Sequence, residues 1–307
     1  MSRRTALLVA TATATATATA IAIWPAPARA EPDTVQASVE LRVGAARAPF
    51  YTDALPETSS EFTQARSMIL ALSVRVAPAI LVGGRLPAAP STVRQPGGSY
   101  ADEKAFGNPE LNADWVAPPR PLGGHLVHLT VRGAVGLPFA EHGSPMSLLQ
   151  NRVVALSNAL DGWRNPELYQ PGVLPVTLSG RATVEPRPWG AELAAKLPIL
   201  VRVGDASLPD EADTHPVGIE PHLEARALVA PVDWFAAELG GHLAVLLVPA
   251  VAPAERSDRA GRLQPGIEPG LRFWPGSGVS LSTRFSAAVG GPLAGTFAIG
   301  LAASVER

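Results

Sequence analysis

The sequence predicts an all-β fold: a transmembrane, antiparallel up-and-down β-barrel of about twelve strands. Three observations lead there. Apolar and polar residues alternate with period two, and the charges gather on one parity. Connections between the alternating segments are short on one rim and long on the other. Tryptophans stand beside the short connections. The stretch GIEPHLEARALVAP (218–231) shows the first of these, with Leu223, Ala225, Ala227 and Val229 alternating with His222, Glu224 and Arg226.

The elements follow in order. Arg3 and Arg4 precede an Ala/Thr-rich apolar run up to Trp24, and Ala28-Arg29-Ala30 fits a small-x-small cleavage site. Residues 1–30 are therefore expected to be a signal peptide, and 31–307 a single barrel domain. With no cysteine, the chain has no disulfide, thiolate zinc site or cysteine nucleophile. A formal charge of −2 gives no case for a nucleic-acid partner. No stretch after residue 30 reaches the ~20 apolar residues of a membrane-spanning helix.

The expected strands are 35–43, 67–76, 79–86, 108–116, 125–137 and 174–185, then 190–203, 218–229, 234–248, 266–274, 278–289 and 295–306. Short links follow the even strands, at 77–78, 117–121, 185–189, 230–233 and 275–278. Longer ones follow most odd strands, at 44–66, 87–107, 138–173, 204–217 and 249–265. These are read as periplasmic turns and extracellular loops. Trp115, Trp189, Trp234 and Trp274 flank four different short links, with Phe235 and Phe273 beside two of them, so they are expected to form an aromatic girdle. Pro221 and Pro269 each remove a ladder donor early in a strand, which calls for a bulge or local fraying there.

Parity assigns the faces. Glu40 and Arg42 share one face of the first strand, opposite Val39, Leu41 and Val43. On the same terms Arg75, Arg132 and Arg181 fall on the polar faces of later strands, as do Glu192 and Lys196. Glu220, His222, Glu224 and Arg226 share a face, with Glu238 and His242 on the next strand, then Glu268, Arg272 and Arg284. Glu110 and Asp114 take the same side. A basic residue facing lipid at mid-depth costs ~2–4 kcal/mol, and about eight of them would exceed the ~5–15 kcal/mol stability of an ordinary domain. The charged parity is therefore expected to line a pore. A secreted β-sandwich would show the same split with charges outward, and is the alternative the alternation leaves open.

FGNPELNADW (106–115), RGAVGLPFA (132–140) and GGRLP (83–87) are the stretches in which the chain resembles bacterial outer-membrane barrels, and more narrowly the transporter-like family of the phenol meta-pathway. The resemblance implies a passive channel. It also implies residence in the outer membrane among lipid and lipopolysaccharide, insertion by the barrel-assembly machinery, and small solutes as cargo. One departure is the ending Val305-Glu306-Arg307 where such barrels often finish on Phe, although Phe297, Ile299, Leu301 and Val305 keep the alternation.

Twelve strands lie between a filled interior and a wide pore, so a narrow lumen is expected. Residues 144–163 of the longest loop carry Met146, Leu149, Val153, Leu156 and Leu160 at helical spacing, with Ser144 as N-cap. This helix would either fold into the mouth and restrict it or lie on the rim. The Glu/His ladder of Glu220, His222, Glu224, Glu238 and His242 raises general-base chemistry, but no serine stands in a G-x-S-x-G motif. His222, Glu224 and His242 have no metal-site spacing. The chain is read as a non-enzyme without cofactor or metal. Its expected role is a narrow porin-like channel, with a non-conducting structural or adhesive barrel as the alternative.

Overall fold

A computed structural model describes residues 35–46, 63–94, 100–140, 153–154, 156–170, 172–185, 188–203, 216–248, 262–276 and 278–306. The expected signal peptide and residues 144–152 of the expected helix lie outside them. The strands are β1 (Val35–Ala46), β2 (Thr63–Ala77), β3 (Ile80–Arg94), β4 (Tyr100–Phe106) and β5 (Glu110–Val116). Next come β6 (Arg120–Leu122), β7 (His125–Gly136), β8 (Val173–Val184), β9 (Trp189–Arg202) and β10 (Val217–Ile219). The last are β11 (His222–Val232), β12 (Phe235–Val245), β13 (Leu263–Gly276), β14 (Val279–Ala288) and β15 (Phe297–Glu306).

Every neighbouring pair is antiparallel, and β1 pairs both β2 and β15, from Gln36↔Glu306 to Ala45↔Phe297, so the sheet closes on itself. The fifteen segments make twelve spans, because β4–β5–β6 and β10–β11 are interrupted single spans. Closure leaves no unpaired sheet edge, which a strand-built membrane protein requires. Among the described residues no helix is long and apolar enough to cross a membrane.

The outer wall is apolar. Leu72, Val82, Leu111, Val131, Leu178, Leu193, Leu223, Leu239, Phe285 and Ile299, from ten strands, are all exposed. A continuous apolar surface of this extent exceeds the few hundred Å² that soluble proteins tolerate, so hydrocarbon is its natural surrounding. The charged parity points the other way, into the barrel. Trp115, Trp189 and Trp234 are exposed at the short-turn rim, and Trp274 is half-buried there.

Prolines cause the interruptions. Pro109 lies in the β4/β5 break, Pro118 and Pro119 separate β5 from β6, and Pro221 separates β10 from β11. The irregularity expected at Pro221 takes another form. The register with β9 runs on without a shift from Ile219↔Ile199 to His222↔Lys196, and Pro221 O still accepts from Val245 N at 2.9 Å. The extra residue lies in the partner strand: His222 pairs Ala244 but Ile219 pairs Val248. Proline withholds one donor from that side only, so the neighbour bends and the proline strand stays in register. At Pro269 the pairing with β12 is kept, while the ladder to β14 passes from Ile267↔Ala287 to Gly270↔Arg284 without a shift.

Candidate functional site: the filled lumen

The segment between β7 and β8 occupies the interior. Residues 153–154 and 156–160 are helical, followed by a turn and a short helix, Pro166–Tyr169. Val153, Val154, Leu156, Ala159, Leu160, Trp163, Leu168 and Tyr169 are buried. They form an apolar cluster with wall residues Ala46, Ala65, Ile69, Ala244 and Ala298 and with Leu293 of the β14–β15 loop. Of the two positions open to this helix, the interior is the observed one. Small wall residues make the room: the Leu160 side chain lies against Gly44, and Leu168 O lies so close to Gly107 that a side chain there would strike it.

The β4/β5 interruption is the docking point. Asn108 N donates to Leu168 O at 2.7 Å, and Asn108 Nδ2 to Glu167 O at 3.2 Å and Gln170 O at 2.6 Å. Asn108 Oδ1 accepts from Ala140 N at 3.0 Å. A fully buried asparagine thus satisfies the backbone at both ends of the inserted segment. Ion pairs complete the seat. Glu167 accepts from Lys196 at 2.9 Å and from Arg85 at 3.1 Å, and Arg85 also holds Glu110 at 2.5 Å. Lys196 Nζ donates as well to Arg164 O and Asn165 Oδ1.

Beside the segment, five arginines and five carboxylates form one connected network. Arg42 meets Glu40 at 2.7 Å, Asp161 at 3.0 Å and Glu268 at 3.2 Å. Arg164 meets Asp161 at 3.0 Å and Glu268 at 2.8 Å. Arg226 reaches Glu192 at 2.9 Å and Glu268 at 3.2 Å, and Arg272 reaches Glu192 at 2.8 Å and Glu238 at 2.9 Å. Arg284 closes on Glu238 at 2.5 Å. Burial pushes the Asp161 carboxyl up to about 7, against the pull of Arg42. Burial acts the same way on Glu167, but the charges of Lys196 and Arg85 outweigh it and hold that carboxyl below its ordinary range.

The opposite flank is open. A cavity of about 930 Å³ runs from the short-turn rim, at Pro78, Pro118 and Pro119, to Asn165 of the inserted segment. Its β8–β9 wall carries the small inward residues Thr177, Ser179 and Ala194, where β11–β14 carry arginine and glutamate. Arg132 and Asp114, neighbours on β7 and β5, pair along its wall through two bonds of 2.7 Å.

The sixteen charged or histidine residues singled out by parity fall into three groups. Glu40, Arg42, Glu192, Arg226, Glu238, Glu268, Arg272 and Arg284 belong to the network. Arg75, Arg132, Arg181, Lys196, His222 and Glu224 line the cavity. Glu220 accepts from Gln170 of the segment at 2.8 Å, and His242 is buried beside Gly162 and Gly266. Sequence reasoning left out Arg85, Asn108, Asp161, Arg164 and Glu167, which hold the segment in place. The one signal for them was Gly107-Asn108-Pro109, a breaker cluster within a strand pattern.

No family model and no curated protein sequence matches the chain. Among solved structures it is similar to an outer-membrane channel from Pseudomonas putida F1, with a TM-score of 0.54 at 12% identity over 93% of this chain and 100% of that one. The NanC porin is similar at a TM-score of 0.47 and 5% identity, covering 88% of this chain and 100% of that one. The β domain of the Bordetella autotransporter BrkA gives 0.44 at 12% identity, over 90% and 100% of the two chains. The fold is therefore that of the outer-membrane β-barrels.

Proposed function

We propose that this protein is an outer-membrane channel for small polar solutes, narrow and passive, with the segment 153–170 as its constriction. The observation that carries this reading is the lumenal cavity of about 930 Å³, lined by charged side chains and ending at that segment. A barrel built only for support would gain by filling this flank as it fills the other, since unfilled volume costs packing. Solutes enter at the short-turn or loop rim and diffuse past fixed charges, with no cofactor and no energy coupling. The exported N-terminal pattern and the apolar outer wall support residence in the bacterial outer membrane. Lipid, lipopolysaccharide and the assembly machinery are its expected partners.

A non-conducting barrel is the second reading. The apolar cluster inside the loop end favours it, because it resembles a domain core more than a pore. A catalytic role has less support: among the described residues His222 and His242 make no ion pair with a carboxylate, and no group of three or more His, Cys, Asp or Glu is placed to hold a metal. Single-channel recording with a panel of salts separates the two main readings. Discrete currents from folded protein support the channel; silent bilayers containing folded protein would end that claim.

A further inference from the structure

Arg181 and Glu224 stand apart from Arg85, Asp114, Arg132 and Lys196 on the cavity wall. Arg85, Arg132 and Lys196 have carboxylate partners, and Asp114 has Arg132. Arg181 and Glu224 line the cavity without a close ion pair or hydrogen bond among the described residues; only longer-range charges act on them, Glu192 on Arg181, and Arg226 and His242 on Glu224. Glu192, the carboxylate diagonal to Arg181, is already held by Arg226 and Arg272. At the rim, Glu306 accepts from Gln36 at 2.7 Å.

The register places the two charges at one level. Arg181 pairs Ala194, and Ala194 pairs Glu224. One strand lies between them, so their Cα atoms are roughly 10 Å apart, two strand spacings. The residue between is alanine, which leaves the floor open. Arg181 is exposed to the cavity and Glu224 is half-exposed, so both charges are open to a solute there. A single anion would satisfy Arg181 and be repelled by Glu224, and a single cation would do the reverse. A molecule carrying both charges satisfies both.

We propose that the cavity is a binding subsite for zwitterionic solutes, amino-acid-like molecules whose carboxylate is held by Arg181 and whose ammonium is held by Glu224. As a step in permeation this rests on the channel reading; as a binding site it does not. Arg181 supplies a planar donor fork suited to a carboxylate. Glu224 supplies acceptors for an ammonium. The spacing selects the separation between the solute's charges, so a series of ω-amino acids from glycine to 6-aminohexanoate should show an optimum in length.

The test is calorimetric titration of that series, with acetate and n-butylamine as singly charged controls, into the folded full chain in detergent. The expected result is zwitterion binding with a length optimum, at least about tenfold tighter than either control. R181Q and E224Q should each lower the affinity about tenfold or more, and the exchange of both charges, R181E with E224R, should restore it. Heat-modifiable gel migration establishes that each variant is folded. Absence of binding, equal binding of a control, or binding unchanged in both single variants would overturn the proposal. Salt currents recorded on the same preparation report on the channel reading separately: silent bilayers with intact zwitterion binding would remove permeation and leave the site.

Discussion

The two flanks of the lumen are made by the same alternating pattern and end in opposite conditions. On β11–β14 and β1, inward arginines and glutamates interlock and fill the space. On β8 and β9, Thr177, Ser179 and Ala194 stand at inward positions among Arg181 and Lys196, and a cavity remains. The difference shows that a charged parity does not make an opening. An opening needs small residues beside the charges. Where long charged side chains face one another instead, the same residue types fill the barrel.

The comparison can be broken most forcefully at Glu268, where Arg42, Arg164 and Arg226 converge on a buried carboxylate. Glu268→Ala leaves those charges uncompensated and should destabilise the fold by about 3–5 kcal/mol, read from urea unfolding followed by gel migration. Next comes Gly44→Ala at the closing seam, where a Cβ would strike Phe297 O and lie 2.7 Å from Ala298 Cα. It should cost about 1–3 kcal/mol by the same assay, because backbone must move. At the other extreme, Glu224→Gln on the open flank should change stability by less than about 0.5 kcal/mol. A loss there as large as at Glu268 would erase the distinction between the flanks.

Acidity sharpens the account of the inserted segment. Asp161 has a raised pKa when seated, so its contribution is complete below about pH 4 and fades as pH rises through 7. Glu167 has a lowered one, so its contribution is present above about pH 4.5 and is lost as pH falls through the lowered value. Seating should therefore be tightest near pH 4–5, weakening in both directions. Measured as protease resistance of the segment, D161N should flatten the alkaline limb and E167Q the acid limb.

Much of the architecture was legible in the sequence because period-two parity and turn spacing are local. Each of the twelve spans falls on the stretch where the alternation put it, and Leu193 or Leu223 faces outward for the reason Glu192 or Glu224 does not. Most of 87–107, read as a loop, is instead the paired continuation of β3 with β4. The contents of the lumen were less legible. Whether Arg226 pairs with Glu192, Glu238 or Glu268 depends on strand stagger and on residues two strands away. The seat of the 153–160 helix depends on Gly44, Gly107 and Asn108, separated from it by tens of residues in the chain. Only the Gly-Asn-Pro interruption carried a local trace of it.

The central claim is that the inserted segment is what closes an otherwise open flank. Its most direct test is the single-channel conductance of a chain lacking residues 153–164, compared with that of the full chain in the same bilayer. The account predicts a folded barrel with clearly larger currents, because the cavity below Asn165 would then run through to the loop side. Unchanged conductance in a correctly folded deletion would contradict it.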